Sequence, residues 1–199
     1  MISFGAKIQV AECQIQRKDK NEFIKVPIYE YTCEDDEDVR FFRNNVKEQD
    51  WEYGRYINEI VLDNRMRHMH EIEHHKRVFA MEDDNGETIN VCTTEVYPTT
   101  NEISFIETSK ESRKKYKFSG LTMLGFLAKQ LQAEKKCHLV LQNAVTSALK
   151  YYTGQCHFLF VGGPVNEDNE VNMFQEASQL DSLIRTAEGK SGATINLIA

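Results

Sequence analysis

Apolar and polar side chains alternate through the first part of the chain. Ile8, Val10 and Ile15 stand against Lys7, Gln9 and Gln14, which predicts a strand or hairpin within Ile2–Gln16. A charged turn at Arg17–Glu22 follows, then a second alternating run, Phe23–Thr32, whose Pro27 sets it towards a sheet edge or at a bulge. The period then lengthens, with Val39, Phe41, Phe42 and Val46 at helical spacing behind the acidic pentapeptide Glu34–Asp38. A second helix is predicted over Trp51 to about Met69, with Tyr53, Tyr56, Ile57, Ile60 and Val61 on its buried side. Arg77–Glu82, Thr88–Tyr97 and Glu102–Thr108 read as three strands, the first two joined by a hairpin turn at Asp84-Asn85-Gly86.

The stretch from Asn101 to Phe158 is the most informative. After the Glu102–Thr108 strand comes a basic loop, Arg113-Lys114-Lys115-Tyr116-Lys117, ending in Phe118-Ser119-Gly120. Leu121, Leu124, Leu127, Ala128 and Leu131 then mark a long amphipathic helix starting near Ser119. The N–H groups at a helix start have no intrahelical partner, and a glycine there admits close approach, so this junction suits a phosphate, in particular a pyrophosphate. A strand at His138–Gln142, a helix over Ala144–Thr153 and a strand at Phe158–Val161 follow. That order implies an α/β layer in which two strands diverge around a ligand. Beyond the Gly162-Gly163-Pro164 break, Phe174–Ala187 is predicted helical, Gly189–Gly192 a loop and Ala193–Ile198 a final strand.

On these residues the chain resembles the GCN5-related N-acetyltransferase (GNAT) superfamily. The family's cofactor motif is Arg or Gln, two residues, Gly, one residue, Gly or Ala, then a Leu/Met pair. Lys115-Tyr116-Lys117-Phe118-Ser119-Gly120 matches it at the second glycine, with Phe118 in place of the first, Lys115 in the leading position and Met123-Leu124 as the apolar pair. The family's later motif is matched by Ala148, Tyr152 and Phe158. The resemblance spans roughly residues 23 to 161. It implies an α/β fold with a mixed central sheet and helices on both faces, and an enzyme that moves an acetyl group from acetyl-CoA to an amine. It further implies that Ile106 and Thr108 flank the pantetheine arm and that Lys115, Lys117, Phe118, Ser119, Gly120 and Leu121 hold the pyrophosphate. Tyr152 takes the place of the tyrosine that protonates the departing thiolate. Glu107 is the candidate base on the neighbouring strand, with Glu102 and His157 as alternatives. Tyr151 is expected to pack into the core.

Length and composition set bounds. The 199 residues suit one domain, divided into an N-terminal extension (1–22), the acetyltransferase-like core (23–161) and a C-terminal helix and strand (162–199). A net charge of −7 argues against a nucleic-acid binder and is compatible with a cationic amine as acceptor. No apolar run reaches the length of a membrane span, and the first residues lack the order of a signal peptide. Five scattered cysteines without Cys-x-x-Cys spacing fit reduced thiols, so a cytoplasmic protein is expected, with a homodimer as an option. The Glu34–Asp38 acids suit a helix N-terminus through its dipole or, alternatively, attract the cationic acceptor.

One motif points elsewhere. His70-Glu71-Ile72-Glu73-His74 matches the H-E-x-x-H of zinc peptidases. Glu73 between the histidines and His75-Lys76-Arg77 directly after them are unlike a buried zinc helix, so no metal site is expected and the cluster reads as a solvated helix end. Three other readings stand behind the acetyltransferase. One is a non-catalytic module of the same fold, motivated by Phe118. Another is an acyl-homoserine-lactone synthase, disfavoured because Thr108-Ser109 follows Glu107 where that family has Arg-Phe. The zinc peptidase is the last.

Overall fold

A computed structural model describes residues 7–33, 35–47, 50–69, 76–161 and 170–198. The H-E-x-x-H segment lies outside them. In chain order the strands are β1 (Lys7–Arg17), β2 (Phe23–Tyr31), β3 (Lys76–Glu82), β4 (Thr88–Val96), β5 (Thr100–Thr108), β6 (Tyr116–Lys117), β7 (His138–Val145), β8 (Leu159–Phe160), β9 (Glu170–Glu176) and β10 (Asn196–Leu197). The helices are α1 (Asp36–Asn45), α2 (Gly54–Met69), α3 (Lys110–Lys115), α4 (Ser119–Ala133), α5 (Leu149–Gly154) and α6 (Ala177–Ser191). The strands form one sheet in the order β10-β1-β2-β3-β4-β5-β7-β9-β8, with β6 also paired to β1. Among the described residues only β5 and β7 are parallel neighbours; the other pairs are antiparallel.

Both faces of the sheet are covered. Phe79, Met81, Cys92 and Ile103 pack on one side with α4 and α6, whereas Val78, Ala80 and Val91 pack on the other with Phe42, Trp51, Ile57 and Val61 from the α1–α2 region. This is why the central strand β3 reads as a continuous apolar run, buried from Val78 to Glu82. α4 is the most apolar helix because it is sandwiched between the sheet and α6; at Gly125 the two helices come so close that a Cβ would stand 2.5 Å from the Ala187 Cβ. α1 starts on the Asp35 carboxylate, which accepts from the N–H groups of Glu37 and Asp38, so at least this acid caps the helix.

Several boundaries differ from the sequence expectation. Pro27 lies in β2, an inner strand, but just beyond the β2–β3 ladder, which begins at Ile28, so it has one paired neighbour there. Residues 7–17 are an inner strand of the sheet, not an appendage. Ala144 and Val145 continue β7, and α5 begins only at Leu149 after a 3-10 turn. Phe174 lies in β9, whose Val171, Met173 and Gln175 alternate inward; α6 starts three residues later at a capping box of Glu176 and Gln179 and runs through Gly189 to Ser191. Tyr53 precedes α2 and is exposed. The basic run is not all loop, since α3 and β6 are built from it. Among the described residues no helix is long and apolar enough to cross a membrane.

Candidate functional site

The site is created by two strands that begin as neighbours and then part. β5 and β7 are paired from Thr100–Ile103 to His138–Leu141, after which, among the described residues, β5 runs on to Thr108 and β7 to Val145 without further pairing to each other. Each is bent away by an irregularity on its other side. Ser104 is an extra residue in β5 opposite β4, since Thr93 faces Phe105 and Thr94 faces Ile103. The β7–β9 register shifts between Leu141 and Ala144, where Asn143 has φ 51°. Bulges bend and twist a strand locally. Into the resulting gap opens a cleft of about 560 Å³, a size usual for small-ligand sites, lined by the end of β5, the start of α4 and the α5 region.

One wall is the N-terminus of α4. Phe118, the residue before it, takes the left-handed conformation (φ 68°, ψ 4°) and offers no side-chain cap. The Thr122 N–H bonds to the Phe118 carbonyl at 2.8 Å, which leaves the N–H groups of Ser119, Gly120 and Leu121 without intrahelical acceptors. A Cβ at Gly120 would meet only Thr108 Oγ1 and the Tyr151 hydroxyl, each at 3.9 Å, so the space in front of it is open. The helix start is fixed to β5 by a polar chain: Asn90 Nδ2 donates to Thr108 Oγ1 at 3.0 Å, and Thr108 Oγ1 meets Ser119 Oγ at 3.1 Å. Asn90 is fully buried on the cleft wall, and its Oδ1 has no hydrogen-bond partner among the described residues.

The loop leading into α4 is held from behind. β6 pairs with the end of β1 (Gln16 with Lys117, Arg17 with Tyr116), the Lys18 N–H donates to the Lys115 carbonyl at 2.8 Å, and Lys18 Nζ donates to the Arg113 carbonyl at 2.5 Å. Lys115 and Lys117 are exposed and do not form the cleft wall; Lys115 Nζ reaches Glu87 at 3.3 Å. Phe118, Ser119, Gly120 and Leu121 line the cleft itself.

Opposite stand Ile106, Glu107 and both tyrosines. Tyr152 is partly buried, its ring 6.1 Å edge-on from Phe158, and burial, with Cys156 and Cys92 nearby, pushes its pKa up to about 12. Tyr151 packs against the core and also lines the cleft, with its hydroxyl towards Gly120; burial first, and then Cys156, raise its pKa above the usual phenol value. The Glu107 carboxylate is buried and occupied: Oε1 accepts from the Glu52 N–H (2.8 Å) and Arg113 Nη2 (2.9 Å), and Oε2 accepts from the Tyr53 N–H (3.2 Å). His157 turns away from the cleft to Thr186, 3.2 Å from its Nε2. Glu102 lies outside the cleft wall near Glu95 and Gln142, and burial, then Glu95, raises its pKa. Sequence reasoning missed Asn90, Tyr53 and the role of Arg113. Only Arg113 carried a signal, its place in the basic run.

No protein-family model matches the sequence, and no curated protein matches it. Solved structures do match in fold. An acetyltransferase of the GNAT family from Desulfovibrio desulfuricans, described as putative, superposes with a TM-score of 0.56 at 11% identity, covering 76% of this chain and 99% of that one. Mutant forms of the spermidine/spermine N-acetyltransferase SpeG from Vibrio cholerae give 0.52 at 16% identity, with 79% and 98% covered. A mutant AtaT toxin, bound to the C-terminus of the antitoxin AtaR and acetyl-CoA, gives 0.53 at 12% identity, with 79% and 97% covered. At these identities the likeness is one of fold.

Proposed function

We propose that this chain, which has the GNAT fold, is an N-acetyltransferase that moves an acetyl group from acetyl-CoA to a primary amine. The observation that carries this reading is the open helix start at Ser119–Leu121 beside a strand end whose edge is free, because the first suits a pyrophosphate and the second an extended amide-bearing arm. The acyl donor fits the residues present: unsatisfied N–H groups face a space that a glycine keeps clear, and a buried carbonyl oxygen on Asn90 awaits a donor.

In the reaction the neutral amine attacks the thioester carbonyl carbon, a C–N bond forms, the C–S bond breaks and the sulfur leaves as a thiolate. Tyr152 supplies the proton that the thiolate takes up, since its phenol stays protonated at neutral pH. Tyr151, with its hydroxyl towards Gly120, binds rather than reacts. Glu107, engaged by three donors, shapes the acceptor side; a cationic acceptor loses one proton to solvent before it attacks, and the second proton, released from nitrogen as the C–N bond forms, passes through water and restores the Tyr152 phenol. The overall charge of −7 and the carboxylates of Glu52 and Glu107 at the cleft favour an acceptor that arrives as a cation.

Calorimetry with acetyl-CoA, followed by turnover against a panel of amines, tests this. Gly120→Glu places charge and bulk in the cradle and is expected to abolish binding in a folded protein. Tyr152→Phe is expected to lower turnover on the order of 10²-fold with little change in affinity. Tyr151→Phe is expected to weaken binding and leave turnover at saturation unchanged. Wild-type affinity in Gly120→Glu, or full turnover in Tyr152→Phe, refutes the respective assignment.

A further inference from the structure

Asn90 is an unexpected residue for its place. Asparagine is disfavoured in strands, yet here it lies fully buried in β4 between Ile89 and Val91. It stands directly opposite Thr108 in the β4–β5 ladder and lines the cleft. Its Nδ2 donates to Thr108 Oγ1 at 3.0 Å, and Thr108 Oγ1 lies 3.1 Å from Ser119 Oγ, at the start of α4. Its Oδ1 has no partner among the described residues. The buried hydroxyls of Thr93, Thr94 and Thr122 also lack one there, but a hydroxyl can turn about its C–O bond to find an acceptor. A carboxamide pinned by its nitrogen cannot. A buried carbonyl left unpaired lowers stability, so the stability of the free protein does not account for the residue.

Counting hydrogens directs attention to its nitrogen. An amide nitrogen can only donate, so Thr108 Oγ1 must accept in its bond with Asn90 and keeps its own hydrogen. That hydrogen is then available to Ser119 Oγ, which lies within reach, and Ser119 Oγ keeps its hydrogen in turn. The chain therefore runs one way, from Asn90 through Thr108 to Ser119. It ends in an O–H donor beside the N–H groups of Ser119, Gly120 and Leu121, which have no intrahelical acceptor. An acceptor at position 90 would draw the chain the other way and take the spare hydrogen from its end. Hydrogen bonds aligned in one direction polarise one another, which strengthens the last donor. A phosphate diester at neutral pH offers oxygens and no hydrogen, so it is the ligand chemistry that such an end suits.

We propose that Asn90 is a positioning residue for the acyl donor: by donating to Thr108 it sets the direction of the hydroxyl chain, so that Ser119 Oγ donates to a phosphate of the bound ligand. The inference rests on the acetyl-CoA reading above and adds a side-chain donor to the backbone cradle. Asn90 acts through Thr108 and Ser119, and its effect on the ligand passes through their hydroxyls alone.

A double-mutant cycle read by calorimetry with acetyl-CoA tests this, because residues that act as one unit are non-additive. Ser119→Ala is expected to weaken binding about 10-fold or more, the loss of one hydrogen bond to a charged group. Asn90→Val, similar in volume and suited to a strand, is expected to weaken it roughly 3- to 10-fold. The urea midpoint of the free Asn90→Val protein should stay unchanged or rise, since the unpaired oxygen is removed with the amide. In the Asn90→Val background, Ser119→Ala should cost less than about threefold. Thr108→Val cuts the same chain at its middle link, carries the same expectation against Ser119→Ala, and serves where Asn90→Val does not fold. Equal costs of Ser119→Ala with and without the upstream change overturn the proposal. So does an Asn90→Val protein that loses stability but keeps wild-type affinity, the outcome of a purely structural role. Either result leaves the acetyltransferase reading intact. Absence of acetyl-CoA binding in the wild-type protein overturns both.

Discussion

Phe118 offers the sharpest test of the cradle, because a bulky residue there holds a backbone shape usually left to glycine. At φ 68° and ψ 4° its Cβ crowds the following carbonyl, at a cost of about 1–2 kcal/mol for an L-residue. Phe118→Gly recovers that cost, but a glycine loses about 0.5–1 kcal/mol more entropy on folding, and the half-buried ring gives up about 1 kcal/mol of apolar burial. These effects nearly cancel. The glycine variant is therefore expected to unfold within about 1 kcal/mol of wild type and to keep acetyl-CoA affinity within about threefold. Asn tolerates the left-handed region and is expected to behave similarly. Phe118→Val is the discriminating change, since a β-branched side chain is a true outlier there and drives the residue to negative φ. The N–H groups of Ser119 to Leu121 then no longer converge, and losing one hydrogen bond to a charged phosphate, about 1.5–3 kcal/mol, weakens binding roughly 10- to 100-fold. Urea titration followed by circular dichroism gives the stabilities, and calorimetry with acetyl-CoA gives the affinities. A folded Phe118→Val protein with wild-type affinity refutes the claim that the cradle depends on this backbone conformation.

Two further outcomes follow from the packing. Gly125→Ala gains about 1 kcal/mol of helix propensity but drives a methyl to within 2.5 Å of the Ala187 Cβ on α6; overpacking of about 1–3 kcal/mol outweighs the gain, so the melting temperature should fall by a few degrees with cofactor affinity unaltered, and an unchanged or higher melting temperature contradicts the packing argument. Burial is the main cause that pushes Cys13, Cys33 and Cys156 from 9.0, and Tyr152 from 10.0, up to about 12. Because these folded pKa values exceed the unfolded ones, the stability they contribute is fully present below pH 9 and is lost as pH rises towards 12. Unfolding free energy measured by urea should decline through that window, less steeply in Tyr152→Phe, and a flat profile to pH 12 speaks against it.

The sheet was largely legible because its strands obey simple periods. Phe23–Thr32, Arg77–Glu82 and Glu102–Thr108 carry a β-rich run bounded by turn or charged residues, and each forms a strand within a residue or two of its expected ends. β9 was not legible, since Glu170–Glu176 mixes Asn, Gln and Glu with only Val171, Met173 and Phe174 as apolar residues, and a buried Gln175 breaks the pattern. The helix start at Ser119 was readable from Ser-Gly ahead of a leucine series, but the left-handed turn at Phe118 was not, because nothing in a phenylalanine announces positive φ. Glu107 illustrates a deeper limit. Its place on a strand makes it a candidate base, yet its partners at Glu52, Tyr53 and Arg113 come from two other segments, and only the folded chain brings them together.

The pairing of β1 with β6 sets a timetable for the nascent chain. Arg17 meets Tyr116 only after about 100 further residues are made, which at about 5–20 residues per second takes roughly 5–20 s. β1 can pair with β2 at once, and its outer edge stays open for that interval, with a second stretch of it covered by Leu197 and Asn196 only after about 80 residues more. An unpaired strand edge is a template for mispairing. The element that braces the loop ahead of α4 is thus also the one that waits longest for its neighbours among the described residues, and the clock that matters for assembling this cleft is set by translation.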